Sequence, residues 1–207
     1  MLYLINNVDS LGDEFSERVM LLLSEERREK VQRLHSKNGR LESIAAYMLL
    51  RLALHDIYGI NEAVDFIYMD KGKPLLKDYP QIHFNISHTK GTAASVVSDH
   101  EVGVDVQSIR SVSDNTAKRV LTNDEYSKFK SAQNPFEYFC EVWAIKESYM
   151  KMTGQGIAAA FKKLPVDEIK NIHVFRENDY YCSVCSPFPQ VFKIKHIRRE
   201  DFEQLLN

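Results

Sequence analysis

Glu147 and Lys151 stand four residues apart in Phe139–Ile157, FCEVWAIKESYMKMTGQGI, which also holds the chain's only tryptophan and a second lysine, Lys146. On a helix they share one side, opposite an apolar stripe of Tyr138, Val142, Ile145, Tyr149 and Met152. That side is either the wall of a cleft holding an acid and a base, or a solvated i, i+4 pair worth a few tenths of a kcal/mol. Asp105 lies in Val102–Gln107, VGVDVQ, a β-branched run in which a carboxylate is out of place unless it is paired or binds a cation. Strand alternation puts Gln107 on its face, and a hard cation such as Mg²⁺ takes one or two such carboxylates together with phosphates and water.

Three further stretches carry polar chemistry. Ser87 and His88 end the run His83–Thr89, where binding groups are commonly presented. Neighbours on an extended strand point apart, so they cannot serve each other as nucleophile and base. In Gly72-Lys73-Pro74 the glycine admits a ligand to the backbone and the lysine offers a phosphate a cation, although a plain surface turn has the same composition. Thr122-Asn123-Asp124-Glu125 reads as a capping box, stapled by Leu121 and Tyr126, which accounts for Glu125 without any chemistry.

The elements that must position these residues follow from periodicity. A strand at 1–5 precedes an apolar helical segment, Phe15–Leu23. A helix capped by Ser24 then brings a cationic cluster of Arg27, Arg28, Lys30 and Arg33, with Lys37 and Arg40 beyond it. Leu41 to Leu52 repeat apolar residues at three and four, and Gly59 ends that helix. Strands are expected at 64–69, 83–87, 93–98 and 102–107, and a polar linker at 108–115. Helices follow at 116–121, 123–131 and 136–153, then strands at 172–176, 179–185 and 191–197. The order is strand, helices, strands, given twice. It fits an α+β fold of two halves, 1–100 and 101–207, although no sequence repeat supports a duplication.

Composition narrows the class. With 44% hydrophobic and 27% charged residues the chain folds, and a formal charge of -2 argues against a nucleic-acid binder that relies on bulk positive charge. No apolar run approaches a membrane span, and the N-terminus lacks the basic start and apolar core of a secretory signal. With three cysteines, an odd number, these features point to a cytoplasmic protein. Cys182 and Cys185 form a CxxC on a strand, where they point to opposite faces and make a poor metal or redox pair.

In order, GKP, FNISHT, GVDVQ and WAIKESYMK resemble the 4′-phosphopantetheinyl transferase family, surfactin-synthetase type. Its strongest signatures are G-[IV]-D-[IVL]-[EQ] and, about forty residues on, W-x-x-K-E. The likeness extends through SEERREKVQRL and TAKRVLTNDEY and fades toward the C-terminus. It implies a pseudodimer of two similar α+β halves with the active site in the cleft between them, and transfer of phosphopantetheine from coenzyme A to a serine of an apo carrier protein. Released with it is 3′,5′-ADP.

By the same resemblance Asp105 and Glu147 are the Mg²⁺ carboxylates, Lys151 reaches the phosphates, and Glu147 is a candidate base. Arg27, Lys30, Arg40, Lys73, Ser87 and His88 contact coenzyme A, the first three near its 3′-phosphate. Gln107 departs from the Glu of many members. Its amide oxygen can ligate the ion or hold a coordinated water but brings no charge and cannot act as a base. Glu125 falls where the family has an acid near the metal and base, a place the capping box explains equally well. The implied partner is a fatty-acid, polyketide or nonribosomal-peptide carrier, and a monomer suffices because both half-sites lie in one chain. The rival reading is a catalytically silent relative that only binds carrier proteins, against which the intact Asp105, Glu147 and Lys151 argue.

Overall fold

The computed structural model describes residues 1–156 and 161–206; Ile157 lies outside them. The strand β1 (Leu2–Ile5) is buried on both faces, and the two faces serve different cores. Tyr3 and Ile5 pack with helix α3 (Lys37–Tyr58), while Leu2 and Leu4 face the opposite way. Helix α1 (Gly12–Leu22) precedes α2 (Glu25–Gln32), which starts where the Ser24 hydroxyl accepts the Arg27 amide. Ser36 caps α3 in the same way, and Gly59, at φ 69°, closes it in the left-handed conformation that suits glycine.

A small hairpin follows, β2 (Phe66–Tyr68) with β3 (Pro74–Leu76), and then β4 (His83–Thr89) turns at Gly91 into β5 (Thr92–Ser98). The second part opens with β6 (Gly103–Ser108), continues through α4 (Asp114–Val120), α5 (Asn123–Ser131) and α6 (Pro135–Thr153), and adds β7 (Ile172–Glu177) and β8 (Tyr180–Cys185). One sheet runs β4-β5-β1 and the other β6-β8-β7. Leu2, Leu4, Ala94 and Val96 of the first sheet share a core with Val104, Val106, Cys182 and Val184 of the second. The layers therefore read helix, sheet, sheet, helix, with α3 outside one sheet and α6 outside the other.

The last strand differs from the expectation of 191–197 in the second half. Only β9 (Ile194–His196) is extended, and it lies parallel to β1, with Leu2 opposite Ile194. Pro187 and Pro189 cannot donate to a ladder, and Val191 is exposed. The chain end thus returns to cover the first sheet, and Ile197 and Phe202 enter the core around α3. No helix among the described residues is long and apolar enough to cross a membrane.

Where the two sheets meet edge to edge, side chains do the work of a ladder. Asn85 Oδ1 accepts from the Val104 amide at 3.0 Å, Ser87 Oγ from Val106 at 3.3 Å and Thr89 Oγ1 from Ser108 at 3.3 Å. Three alternate residues of β4 satisfy the three outward amides of β6, so the buried edge of β6 does not leave them unpaired.

Candidate active site

Gly103 sets the distance between α6 and β6. A Cβ there would lie 2.0 Å from the Ser148 carbonyl oxygen and 2.5 Å from the Met152 amide, so only glycine lets the helix backbone come so close. The helix side facing the sheet is small accordingly: Cys140, Ala144 and Ser148 lie on it, with Ser148 Oγ 2.9 Å from Ser183 Oγ of β8. Glu147 and Lys151 flank this contact and are carried to Asp105. The supposed wet side of the helix is buried. Of the apolar stripe, Val142, Ile145 and Met152 are buried but Tyr138 and Tyr149 only half so.

Asp105 is the hub. Its Oδ1 accepts from Lys151 Nζ at 2.6 Å and Ser87 Oγ at 2.9 Å, and its Oδ2 from Gln107 Nε2 at 2.8 Å. Ser87 Oγ spends its proton on Asp105 and accepts from Lys151 and from Val106, which uses its full capacity. Glu147 is 5% exposed, and its Oε2 is buried without a hydrogen-bond partner. Burial and then the negative charge of Asp105 push its carboxyl up to about 7. Lys151 opposes that rise, as does the neighbouring Trp143 indole, whose Nε1 is itself out of bonding geometry.

Beside this pair opens a cavity of about 280 Å³. Arg27, Lys30, Lys71, Lys73 and Lys151 all line it, and no acid among the described residues does. Four of these cations come from residues 27–73 and one from α6. Arg27 is buried, with its guanidinium over the Tyr47 ring and one nitrogen on the Ser43 carbonyl and hydroxyl; its Nε has no partner. Lys30 Nζ lies over Tyr68. Burial and the proximity of Arg27 depress the Lys30 ammonium, a cost that an anion in the cavity would reverse. His88 projects away from Ser87, with Nδ1 3.6 Å from Glu42. Although 37% of its side chain is exposed, desolvation first and then Lys151 and Arg27 hold its pKa at about 4, so the imidazole is neutral at physiological pH. The cavity is thus strongly cationic, and Lys151 joins it to Asp105.

Sequence comparison reaches the same ground. Residues 11–101 match a family model described as the N-terminal part of 4′-phosphopantetheinyl transferase, and residues 101–188 match the 4′-phosphopantetheinyl transferase superfamily. The chain is 33% identical to the 4′-phosphopantetheinyl transferase ffp of Bacillus subtilis, over 76% of this chain and 69% of the relative. It is 31% identical to the transferase Sfp of Bacillus subtilis strain 168 over the same shares. To the transferase gsp of Aneurinibacillus migulanus it is 29% identical over 89% of this chain and 84% of the relative. This chain belongs to the 4′-phosphopantetheinyl transferase superfamily. It is an enzyme of the surfactin-synthetase type.

Not every transferase residue expected at the site is brought there. Arg40 donates to the Leu34 carbonyl and lines a separate crevice with Met20 and Ile44, because α3 turns it away from Arg27 and Lys30. Glu125 is buried with both oxygens engaged. Oε2 closes the capping box and accepts from Lys146 Nζ at 2.5 Å, and Oε1 accepts from the Val166 amide at 2.8 Å. Lys146 is fully buried and also donates to the Val120 and Phe161 carbonyls, making it a strut between α6 and the segments around it. Lys73 caps the end of α6 through the Met152 carbonyl while lining the cavity.

Lys71 and Asn85 line the site without having been singled out for it. Only the neighbouring Gly72-Lys73 turn hinted at Lys71. Ile86 is half-buried, packing against the core around α3 and lining the cavity as well.

The donor set fits a small hard cation. Two carboxylates repel each other, one of their buried oxygens has no partner, and a cation between them would remove both penalties. Among the described residues no three His, Cys, Asp or Glu side chains gather to hold an ion. Two carboxylates would therefore have to be completed by water and ligand phosphates.

Proposed function

We propose that this transferase moves 4′-phosphopantetheine from coenzyme A to a serine of an apo acyl, polyketide or nonribosomal-peptide carrier protein, releasing 3′,5′-ADP, with Mg²⁺ held by Asp105 and Glu147. The observation that carries the reading is the cavity of five cations opening beside the Asp105–Glu147 pair. A polyanionic nucleotide matches the first and a divalent ion the second. In this reading the two α+β halves, 1–100 and 101–207 with the last strand handed back to the first, form a pseudodimer around the active-site cleft. Each would contribute a long helix and an antiparallel hairpin. A single chain then suffices as the working unit.

Arg27, Lys30, Lys71 and Lys73 would hold the phosphates of the nucleotide. His88, kept neutral, would donate a hydrogen bond without adding charge. Lys151 would neutralise the phosphate oxygens that gain charge as the anhydride bond breaks. When bound, Mg²⁺ supplies charge neutralisation at the pyrophosphate. The carrier's serine oxygen forms a bond to the phosphorus bearing pantetheine, and the bond from that phosphorus to the anhydride oxygen breaks. Its electron pair leaves on 3′,5′-ADP. The hydroxyl proton passes to Glu147, directly or through a water. Gln107 keeps Asp105 oriented through its amide N–H and takes no proton.

The test is to incubate the protein with coenzyme A, Mg²⁺ and a panel of apo carriers and follow each carrier's intact mass. One phosphopantetheine per carrier, abolished by chelator, is the expected result. No gain with any carrier would favour the silent, carrier-binding alternative.

A further inference from the structure

We infer that Lys151 and a divalent cation are alternative partners of Asp105, and that a phosphate ligand decides between them by drawing Lys151 away. The inference rests on the transferase reading of this site and concerns how the site is loaded. An ammonium has three protons to donate. Lys151 gives all three to the protein: to Asp105 Oδ1 at 2.6 Å, to Ser87 Oγ at 2.9 Å and to the Val104 carbonyl at 3.2 Å.

Asp105 is equally committed. Oδ1 takes two donors and Oδ2 takes Gln107, so an incoming ion must share a carboxylate whose charge already belongs to Lys151. A metal ion against Asp105 and an ammonium 2.6 Å from the same carboxylate repel each other where little water screens them, because the aspartate side chain is 3% exposed. Lys151 has somewhere to go. It also lines the cationic cavity, and its side chain keeps 24% of its surface. Swinging toward a phosphate would replace its three internal bonds by charge-assisted ones and release Asp105.

The consequence is a linkage between two ligands. Metal and phosphate should each raise the affinity for the other, and Lys151 should be the residue through which they do so. Without a phosphate the ion has to displace a salt bridge; with one it finds the carboxylate free. Lys30 and Lys73 add positive charge to the same cavity, but they lie against the Tyr68 ring and the Met152 carbonyl rather than Asp105. They would repel the ion without occupying its partner.

Mn²⁺ binding, read by electron paramagnetic resonance with no carrier protein present, tests this apart from turnover. The dissociation constant is measured with and without coenzyme A for the wild type, Lys151→Met, Lys151→Gln and Lys30→Met. In the absence of coenzyme A, Lys151→Met should bind Mn²⁺ tighter than wild type by about tenfold or more. Lys30→Met should change it far less. The enhancement that coenzyme A gives the wild type should be smaller in Lys151→Met, which keeps only the part that comes from phosphates ligating the ion directly.

Equal or weaker Mn²⁺ binding by folded Lys151→Met and Lys151→Gln would overturn the inference. So would an undiminished coenzyme A enhancement. Absence of Mn²⁺ binding by the wild type even with coenzyme A would instead strike the metal reading itself. Should neither variant fold, the wild-type Lys151 ammonium resonance decides. Proximity of that ammonium to a coenzyme A phosphorus, gained on adding Mg²⁺ and coenzyme A, supports the exchange of partners; an ammonium resonance that both ligands leave unchanged refutes it.

Discussion

Replacing Glu147 by glutamine should leave the protein inactive and, at alkaline pH, more stable. The carboxyl of Glu147 is raised from 4.5 to about 7 by burial and by the charge of Asp105. A group that holds its proton more tightly in the folded state than in the unfolded chain favours folding at low pH, and that advantage is lost as pH rises through the folded value. Below about pH 4.5 the wild type and the Glu147→Gln variant should therefore differ little. Between 4.5 and 7 the wild type should fall behind by about 1.4 kcal/mol per pH unit. Above 7 the gap should level near 3 kcal/mol, the full cost of ionising a buried carboxylate beside another, which a neutral amide of the same shape avoids.

Urea titrations of both proteins at pH 5, 6, 7 and 8.5, in chelator and without coenzyme A, measure the gap directly. Adding Mg²⁺ and coenzyme A at pH 8.5 should narrow it, because both proteins gain from coenzyme A but only the wild type keeps both carboxylates for the ion. A gap that is independent of pH, or a variant less stable than wild type at pH 8.5, would refute the electrostatic account of Glu147.

Gly103→Ala should destabilise the protein by about 3 kcal/mol in urea or thermal denaturation, because its methyl group collides with the backbone of α6 rather than with a side chain that can turn aside. Either Glu125→Gln or Lys146→Met alone should cost about 3–5 kcal/mol in the same assay by leaving a buried partner uncompensated, while the double variant should recover much of the loss. Gln107→Glu should lower the Mg²⁺ concentration for half-maximal transfer, since it adds a carboxylate beside Asp105; an unchanged requirement would remove this side chain from the neighbourhood of the ion.

The sequence carried a good deal of this arrangement, for physical reasons that differ by residue. Helix ends were readable because capping is local: Ser24, Thr122 and Gly59 do in the structure what their types predict. Asp105 was conspicuous because a carboxylate among valines demands a partner, and its partners proved to be Lys151, Ser87 and Gln107. What could not be read is whatever depends on distant segments meeting. Periodicity assigned α6 one buried stripe, whereas a second sheet buries its other side, a contact that only Gly103 in β6 foreshadowed. The polar face of β4 looked like a strand end, but Asn85, Ser87 and Thr89 fasten it to the edge of β6. Arg40 sits in a run of cations that reads as one cluster, and only the turn of α3 separates it from Arg27. The return of β9 to β1 is non-local in the extreme, and no pattern in the last residues announces its partner.

The proposed transfer takes place at one site, built on Asp105 and Glu147 beside the cationic cavity. A two-product measurement tests it most directly: 3′,5′-ADP released and phosphopantetheine attached to the carrier serine, counted in the same reaction for wild type and Glu147→Gln. The account predicts one 3′,5′-ADP per modified serine for the wild type, and neither product for the variant, which should still bind coenzyme A. Transfer by Glu147→Gln at the wild-type rate, or 3′,5′-ADP formed without a modified carrier, would contradict it.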